Sequence, residues 1–346
     1  MNTTRLVTII CSLISAIVLI GLVIWFIFFS PLAISNWGSP NMNLSFGNFS
    51  IENLAGPFNK AGTQNISPDG VKSISVDWVS GTIDIKPHDG NDIVITEFAQ
   101  RDLNENEKMH VAISGNTIVI RYTEQQQWSG RMPTKRLEVL IPRELCGNLE
   151  KLSIDTTSGL TSISDITASS IMMDITSGGL SASNVNVDNI SINGTSGAIN
   201  ISDSSVNKLI IDITSGSKDL SGSFNDIYVN ATSGSLTVNN DAPGSIIKTD
   251  VTSGSQNLTG SFDRVDINCT SGTINITSRQ VPSSLRIDNT SGNINITVPN
   301  EGAITLYHDV TSGRLTSDIP ITTDSRNNAQ FYVISTSGNL TISELR

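Results

Sequence analysis

Nine serines along this chain stand directly before a glycine at nearly even spacing. The glycines are Gly159, Gly178, Gly197, Gly216, Gly234, Gly254, Gly272, Gly292 and Gly313, with Gly338 as a late tenth member. A serine hydroxyl becomes a nucleophile only with a base in hydrogen-bond reach. The chain has three histidines, His88, His110 and His308, and only His308 lies close in sequence to one of these serines. Ten copies with one nearby base read as architecture, so no catalytic residue is assigned and the chain is not expected to be an enzyme. The metal candidates are Asp174, Asp212 and Asp250, each four residues before its glycine. Carboxylates stacked about 5 Å apart would repel, and a cation would relieve them. The plainer reading is that each accepts hydrogen bonds from its own turn and faces solvent. No Cys-x-x-Cys pair, zinc spacing or glycine-rich phosphate loop before a helix occurs, and no cofactor is expected.

The spacing itself says what positions these residues. A dipeptide returning about every nineteen residues marks stacked repeats. Before each Thr-Ser-Gly, apolar and polar residues alternate, as in Leu209, Ile211, Ile213 or Val265, Ile267, Cys269. Period two with β-branched residues means strands with one face inward. A shorter strand follows each glycine, such as Leu236 to Val238 or Ile274 to Ile276, and then a looser corner. The glycine suits a turn residue at positive φ. The expected fold is therefore all-β, a parallel β-solenoid of about 19-residue units. Three residues before the glycines, large and small side chains alternate: Thr156, Ile175, Gly194, Ile213, Ala231, Val251, Cys269. If like stacks on like, two units make one rung; a rung of one unit is the simpler alternative.

Four segments follow. Residues 1–30 read as a cytoplasmic stub and a transmembrane helix. Leu6–Phe29 carries no charge, and as a helix it would reach about 36 Å, enough for a hydrocarbon core of about 30 Å. Arg5 precedes it and no Lys or Arg follows until Lys60, which places the C-terminal part outside the cell. A cleaved signal peptide is the rival, but this apolar run is longer than such cores. Residues 31–70, with Asn, Ser, Gly and Pro, read as a flexible tether. Residues 71–145 read as a less regular strand segment capping the array, and 146–346 as the solenoid. The insertion around Asp324–Asn328 and the charged C-terminus are expected to cap its last rung. Cys146 and Cys269 lie about six units apart and should not pair.

Net charge is −11. From Leu152 onward there are 18 acidic and 9 basic residues, which argues against nucleic acid and against direct adhesion to anionic lipid. Asn-x-Ser/Thr sequons such as Asn43, Asn189, Asn230 and Asn295 would matter only in a glycosylating host.

Three stretches together resemble the bacterial and archaeal "putative adhesin" family, a domain of unknown function. They are Val76-Asp77-Trp78-Val79-Ser80-Gly81-Thr82-Ile83-Asp84-Ile85, the strand Lys135 to Pro142, and Leu152-Ser153-Ile154-Asp155-Thr156-Thr157-Ser158-Gly159 with its successors. The resemblance covers about Val71 to Arg346 and implies a β-solenoid-like surface domain, often with an N-terminal membrane anchor. The family has no established catalytic residues, so none are transferred. The expected role is a membrane-anchored module for adhesion or envelope interaction, with a wall polymer, glycan or surface protein as partner. An accessory sensor or regulator acting through the anchor is the alternative.

Overall fold

The computed structural model describes residues 58–124, 133–323 and 329–345. The apolar span Leu6–Phe29 lies outside them. Among the described residues no helix is long and apolar enough to cross a membrane.

The chain first lays down β1 (Asn59–Ile66), β2 (Ser73–His88), β3 (Ile93–Ala99), β4 (His110–Ser114), β5 (Thr117–Arg121) and β6 (Lys135–Pro142), then a short helix α1 (Arg143–Cys146). Asn59–Ile66, inside the stretch expected to be flexible tether, is thus a strand, antiparallel to β3. β5 and β6 form the first rung: β5 pairs in parallel with the first half of β2, and β6 with its second half. Antiparallel partners cover their outer edges, β4 on β5 and β3 on β6. An open parallel edge invites another chain, and these hairpins close it.

The array continues with β7 (Leu149–Ser164), β8 (Thr167–Ser183) and β9 (Asn186–Ser215). The register settles the rung length. Gly81 lies opposite Gly159, and Gly159 opposite Gly178, so each unit stacks directly on the next. The two-unit rung is not formed. Small and large residues instead share one column, and the large ones fill the space the small ones leave. A Cβ on Gly194 would stand 3.6 Å from Cδ1 of Ile213. Between β7 and β8, between β8 and β9, and again within β9, a second corner uses the left-handed region at Asp165, Asn184 and Asp203, with φ of 56°, 52° and 51°. Asp and Asn tolerate that region because their short side chains bond locally; Asn184 Nδ2 donates to Asp165 Oδ1 at 2.6 Å.

Later rungs split into strand pairs: β10 (Lys218–Ser233) with β11 (Leu236–Asn240), β12 (Ser245–Ser253) with β13 (Gln256–Gly260), β14 (Phe262–Ser271) with β15 (Ile274–Ser278), and β16 (Ser284–Ser291) with β17 (Ile294–Val298). The inward residues of every rung merge into one continuous core. The last rungs are β18 (Ile304–Ser312) with β19 (Leu315–Ser317), the two-residue β20 (Ile321–Thr322), and β21 (Gln330–Ser337) with β22 (Leu340–Glu344).

Here spatial order departs from chain order. β21 pairs with β16 on one side and β18 on the other, and β22 lies between β17 and β19. The final strand pair of the chain is therefore inserted, and the Gly313 unit is the outermost rung. This corrects the expectation that the charged C-terminus caps the stack; the insertion Asp324–Asn328 lies outside the described residues. The side chains explain it. Columns that hold Ile287 and Val333, or Ile296 and Ile342, end in His308 and Ser317. A histidine in an apolar column belongs where one side meets water, and His308 is exposed. The order is directly testable. A Ser291→Cys/Ser337→Cys variant should close a disulfide on mild oxidation, because these serines face each other on neighbouring strands. Ser291→Cys/Ser312→Cys should not, since β21 separates them. The reverse result would restore chain order.

Candidate binding surface

The candidate Asp residues are not stacked on one another. Their column alternates acid with amide: Asn193 Nδ2 donates to Asp174 Oδ1 at 3.1 Å, and Asn230 Nδ2 to Asp212 Oδ1 at 3.4 Å. Asn230 then lies opposite Asp250, and Asp250 opposite Asn268. Asp212 and Asp250 are two strand spacings apart, about 9.6 Å. The amides relieve the repulsion that stacked carboxylates would otherwise need a cation to relieve. Adjacent carboxylates occur only at the start of the column, Asp77, Asp155 and Asp174. There burial, and then the charges of Asp77 and Asp174, hold the Asp155 carboxyl above its ordinary value. No cluster of three or more metal-binding side chains occurs among the described residues.

The histidines sit in three separate elements, on β2, β4 and β18. His308 and Ser312 are four residues apart on an extended strand, about 13 Å, so that imidazole does not reach that hydroxyl. Cys146 and Cys269 are buried and free. A shallow polar hollow of about 300 Å³, lined by Gly147, Asn148, Thr167, Ala168, Asn186 and Asp188, holds no histidine, lysine or arginine.

What the stacking does expose is a regular outer face. The glycine column is its ridge, and threonine stands two positions before each glycine from Thr157 to Thr336. The Asp/Asn column runs beside it, and on the strand after the turn Asn275 and Asn295 each donate to the preceding Asn at 2.7 and 2.8 Å. Neighbouring strands repeat about every 4.8 Å. The face therefore offers hydroxyls, carboxylates and amides as a lattice rather than a pocket.

This lattice of stacked Thr-Ser-Gly turns, with its irregular first rungs, matches one family model twice, over residues 71–259 and 247–343. The chain belongs to the Toastrack DUF4097 family. No curated protein matches the chain. Among solved structures the Toastrack chain is similar to a "putative adhesin" from Parabacteroides distasonis ATCC 8503, at 14% identity over 84% of this chain and 98% of that one, TM-score 0.34. A "putative lipid binding protein" from the same organism has the same identity and coverage, TM-score 0.39. A "putative cell adhesion protein" from Clostridium sporogenes ATCC 15579 is 8% identical over 84% of this chain and all of that one, TM-score 0.23. At these TM-scores the likenesses carry no argument about function.

Two buried cations inside the Toastrack core escaped the sequence reading. Lys135 takes the place of the glycine in the first rung, opposite Gly81. Lys218 stands between Ile199 and Leu236 and is 1% exposed. Its Nζ donates to the carbonyls of Gly216 at 2.8 Å and Ser233 at 3.4 Å, and among the described residues no carboxylate pairs with it. Burial pulls its pKa from 10.5 down to about 8. Between those values the unfolded chain holds a proton that the folded chain has released, so stability should rise as pH climbs through the window, by about 3 kcal/mol in total. Lys218→Leu, which matches the neighbours in its column, should raise the melting temperature at pH 7 and abolish that rise. Melts at pH 7 and pH 10 check both; a wild-type curve flat over this range would contradict the assignment.

Proposed function

We propose that this chain is a non-enzymatic cell-surface module for adhesion or envelope interaction, held at the membrane by Leu6–Phe29 with the array outside the cell. The observation that supports it most is the exposed repeating lattice of Thr, Asp and Asn on the outer face, carried on a continuous core. A rigid repetitive face suits many weak contacts made together, the geometry of binding to a polymer or a dense surface. It suits catalysis poorly, because the one histidine close in sequence to a ridge serine, His308, stands about 13 Å along its strand from Ser312. The acidic balance, −11 overall, turns the reading away from nucleic acid.

The test is retention of the full-length chain on intact cell envelopes and on purified wall polymers, with polysaccharide cleavage assayed in parallel. Saturable retention without cleavage is the expected result. Release of sugar fragments would make the chain an enzyme. Absence of retention, together with co-purification of a membrane-embedded signalling protein, would favour the accessory sensor.

A further inference from the structure

The chain has four tyrosines, and Tyr122 is buried in the first rung. The other three all fall in one outward column, six residues before the glycine. Across the sheet that column reads Tyr228, Lys248, Asp266, Arg286, Tyr332 and Tyr307, each opposite the next. Tyr307 is 57% exposed and Tyr332 42%. Their rings stand side by side, centroids 6.1 Å apart and planes tilted by 40°. Tyr228 lies at the other end, with Lys208 Nζ 5.4 Å from its ring centre. From Tyr228 to Tyr307 is five strand spacings, about 24 Å.

Resting on the surface-module reading above, we infer that this column is a binding track for an uncharged, linear polysaccharide. Three properties select that occupant. A sugar ring has an apolar C–H face and a rim of hydroxyls; tyrosine offers an apolar face with a polar tip, and two exposed rings side by side fit such faces. Between the aromatic ends stand a guanidinium, a carboxylate and an ammonium, which supply the donors and acceptors that paired hydroxyls need. The charges are of mixed sign and interspersed rather than of one sign. Lys248 and Asp266 already pair at 3.5 Å, and the neighbouring column carries Asp250 and Asp288. A polyanion would meet those carboxylates and a polycation would meet Arg286, whereas a neutral polyol meets only hydrogen-bonding partners. The track is open along its length, which fits a chain rather than a single sugar.

The experiment is affinity electrophoresis of the full-length chain through gels holding dextran, galactomannan or xyloglucan, with polygalacturonate and polyphosphate as charged controls. At least one neutral polymer should retard the chain. Tyr307→Ala/Tyr332→Ala should weaken that retardation at least tenfold, while Tyr307→Phe/Tyr332→Phe keeps most of it; unchanged thermal melts confirm that these exposed variants fold. Retention by the charged polymers alone, or retardation indifferent to the tyrosines, overturns the inference. So does envelope binding through protein, with no neutral polymer bound; that result leaves the surface-module reading intact. If neither envelopes nor polymers hold the chain, both fall.

Discussion

Lys135→Met should destabilise the fold by about 3–5 kcal/mol, one of the largest effects available to a single side chain here. Lys135 and Glu97 are 0% and 1% exposed and meet at 2.7 Å. The ammonium has three hydrogens and finds three acceptors: Glu97 Oε1, the Tyr122 carbonyl at 2.6 Å and the Glu107 carbonyl. It also lies 4.0 Å from the centre of the Tyr122 ring and 5.6 Å from that of Trp78. Burial pulls its pKa below the usual lysine value, and Glu97 opposes that shift. Glu97 in turn accepts from the Met109 amide at 3.0 and 3.1 Å. Arg101 grips Glu107 with two bonds, 2.8 and 2.6 Å, and holds the Glu107 carboxyl down at about 2. The loop over the first rung is thus pinned to one ammonium. Methionine fills the volume but leaves a buried carboxylate without its counter-charge and takes the ammonium donor away from two carbonyls. The penalty comes from the stranded Glu97 charge, so Glu97→Gln/Lys135→Met should recover part of the loss, because a glutamine oxygen still accepts from Met109. Urea titrations of wild type, the single variant and the double variant decide it. A double variant no more stable than the single one would show that the lysine acts by packing alone.

The contrast between that hub and the array shows which features a sequence displays. The rungs were legible because a backbone requirement recurs: each turn demands glycine, and each strand alternates inward and outward residues. What failed was the inference from like stacking on like. It asked Ile175 and Ile213 to avoid Gly194, when the long side chains of one rung fill the gap over the next. The same assumption put Asp174, Asp212 and Asp250 together, although the amides of Asn193 and Asn230 stand in the intervening rungs. The inserted C-terminal rung has no local signal in its own strands. Its signature lies in the neighbour: His308 and Ser317 occupy apolar columns, which marks the Gly313 unit as an end. In the sequence Lys135 marks only the start of a strand. Nothing in its spacing from Glu97 announces that the two meet, because hairpins of the irregular first rungs bring them together. The tyrosine column was equally present in the sequence, counted back from each glycine, but its continuity needs the inserted order, which puts Tyr332 next to Arg286.

Gly254→Ala should be as damaging as the loss of Lys135, by a mechanism confined to the backbone. Gly254 has φ of 146°, which L-residues with a Cβ rarely adopt. A Cβ there would also stand 2.8 Å from the carbonyl carbon of Gly234 and collide with its oxygen. That oxygen belongs to the next turn in the stack and cannot withdraw without moving its own rung. Gly272 would meet Gly254, and Gly292 would meet Gly272, in the same way. Gly254 therefore excludes a side chain for two reasons, conformation and crowding, whereas Gly159 and Gly197 do so by crowding; Gly244 separates the two. Gly244 also has a positive φ, 65°, but open space where its Cβ would be. Alanine there should cost about 1–2 kcal/mol, the left-handed penalty alone. Alanine at Gly254 should cost about 3 kcal/mol or more, since strain and overpacking add. The damage should be local, because a solenoid's stability is a sum over neighbouring rungs. Hydrogen exchange should show protection lost first at β10 to β13 and kept at β2 and β7. Equal losses at Gly244 and Gly254 would mean that the stacked carbonyls yield, and that the glycines are needed for conformation alone.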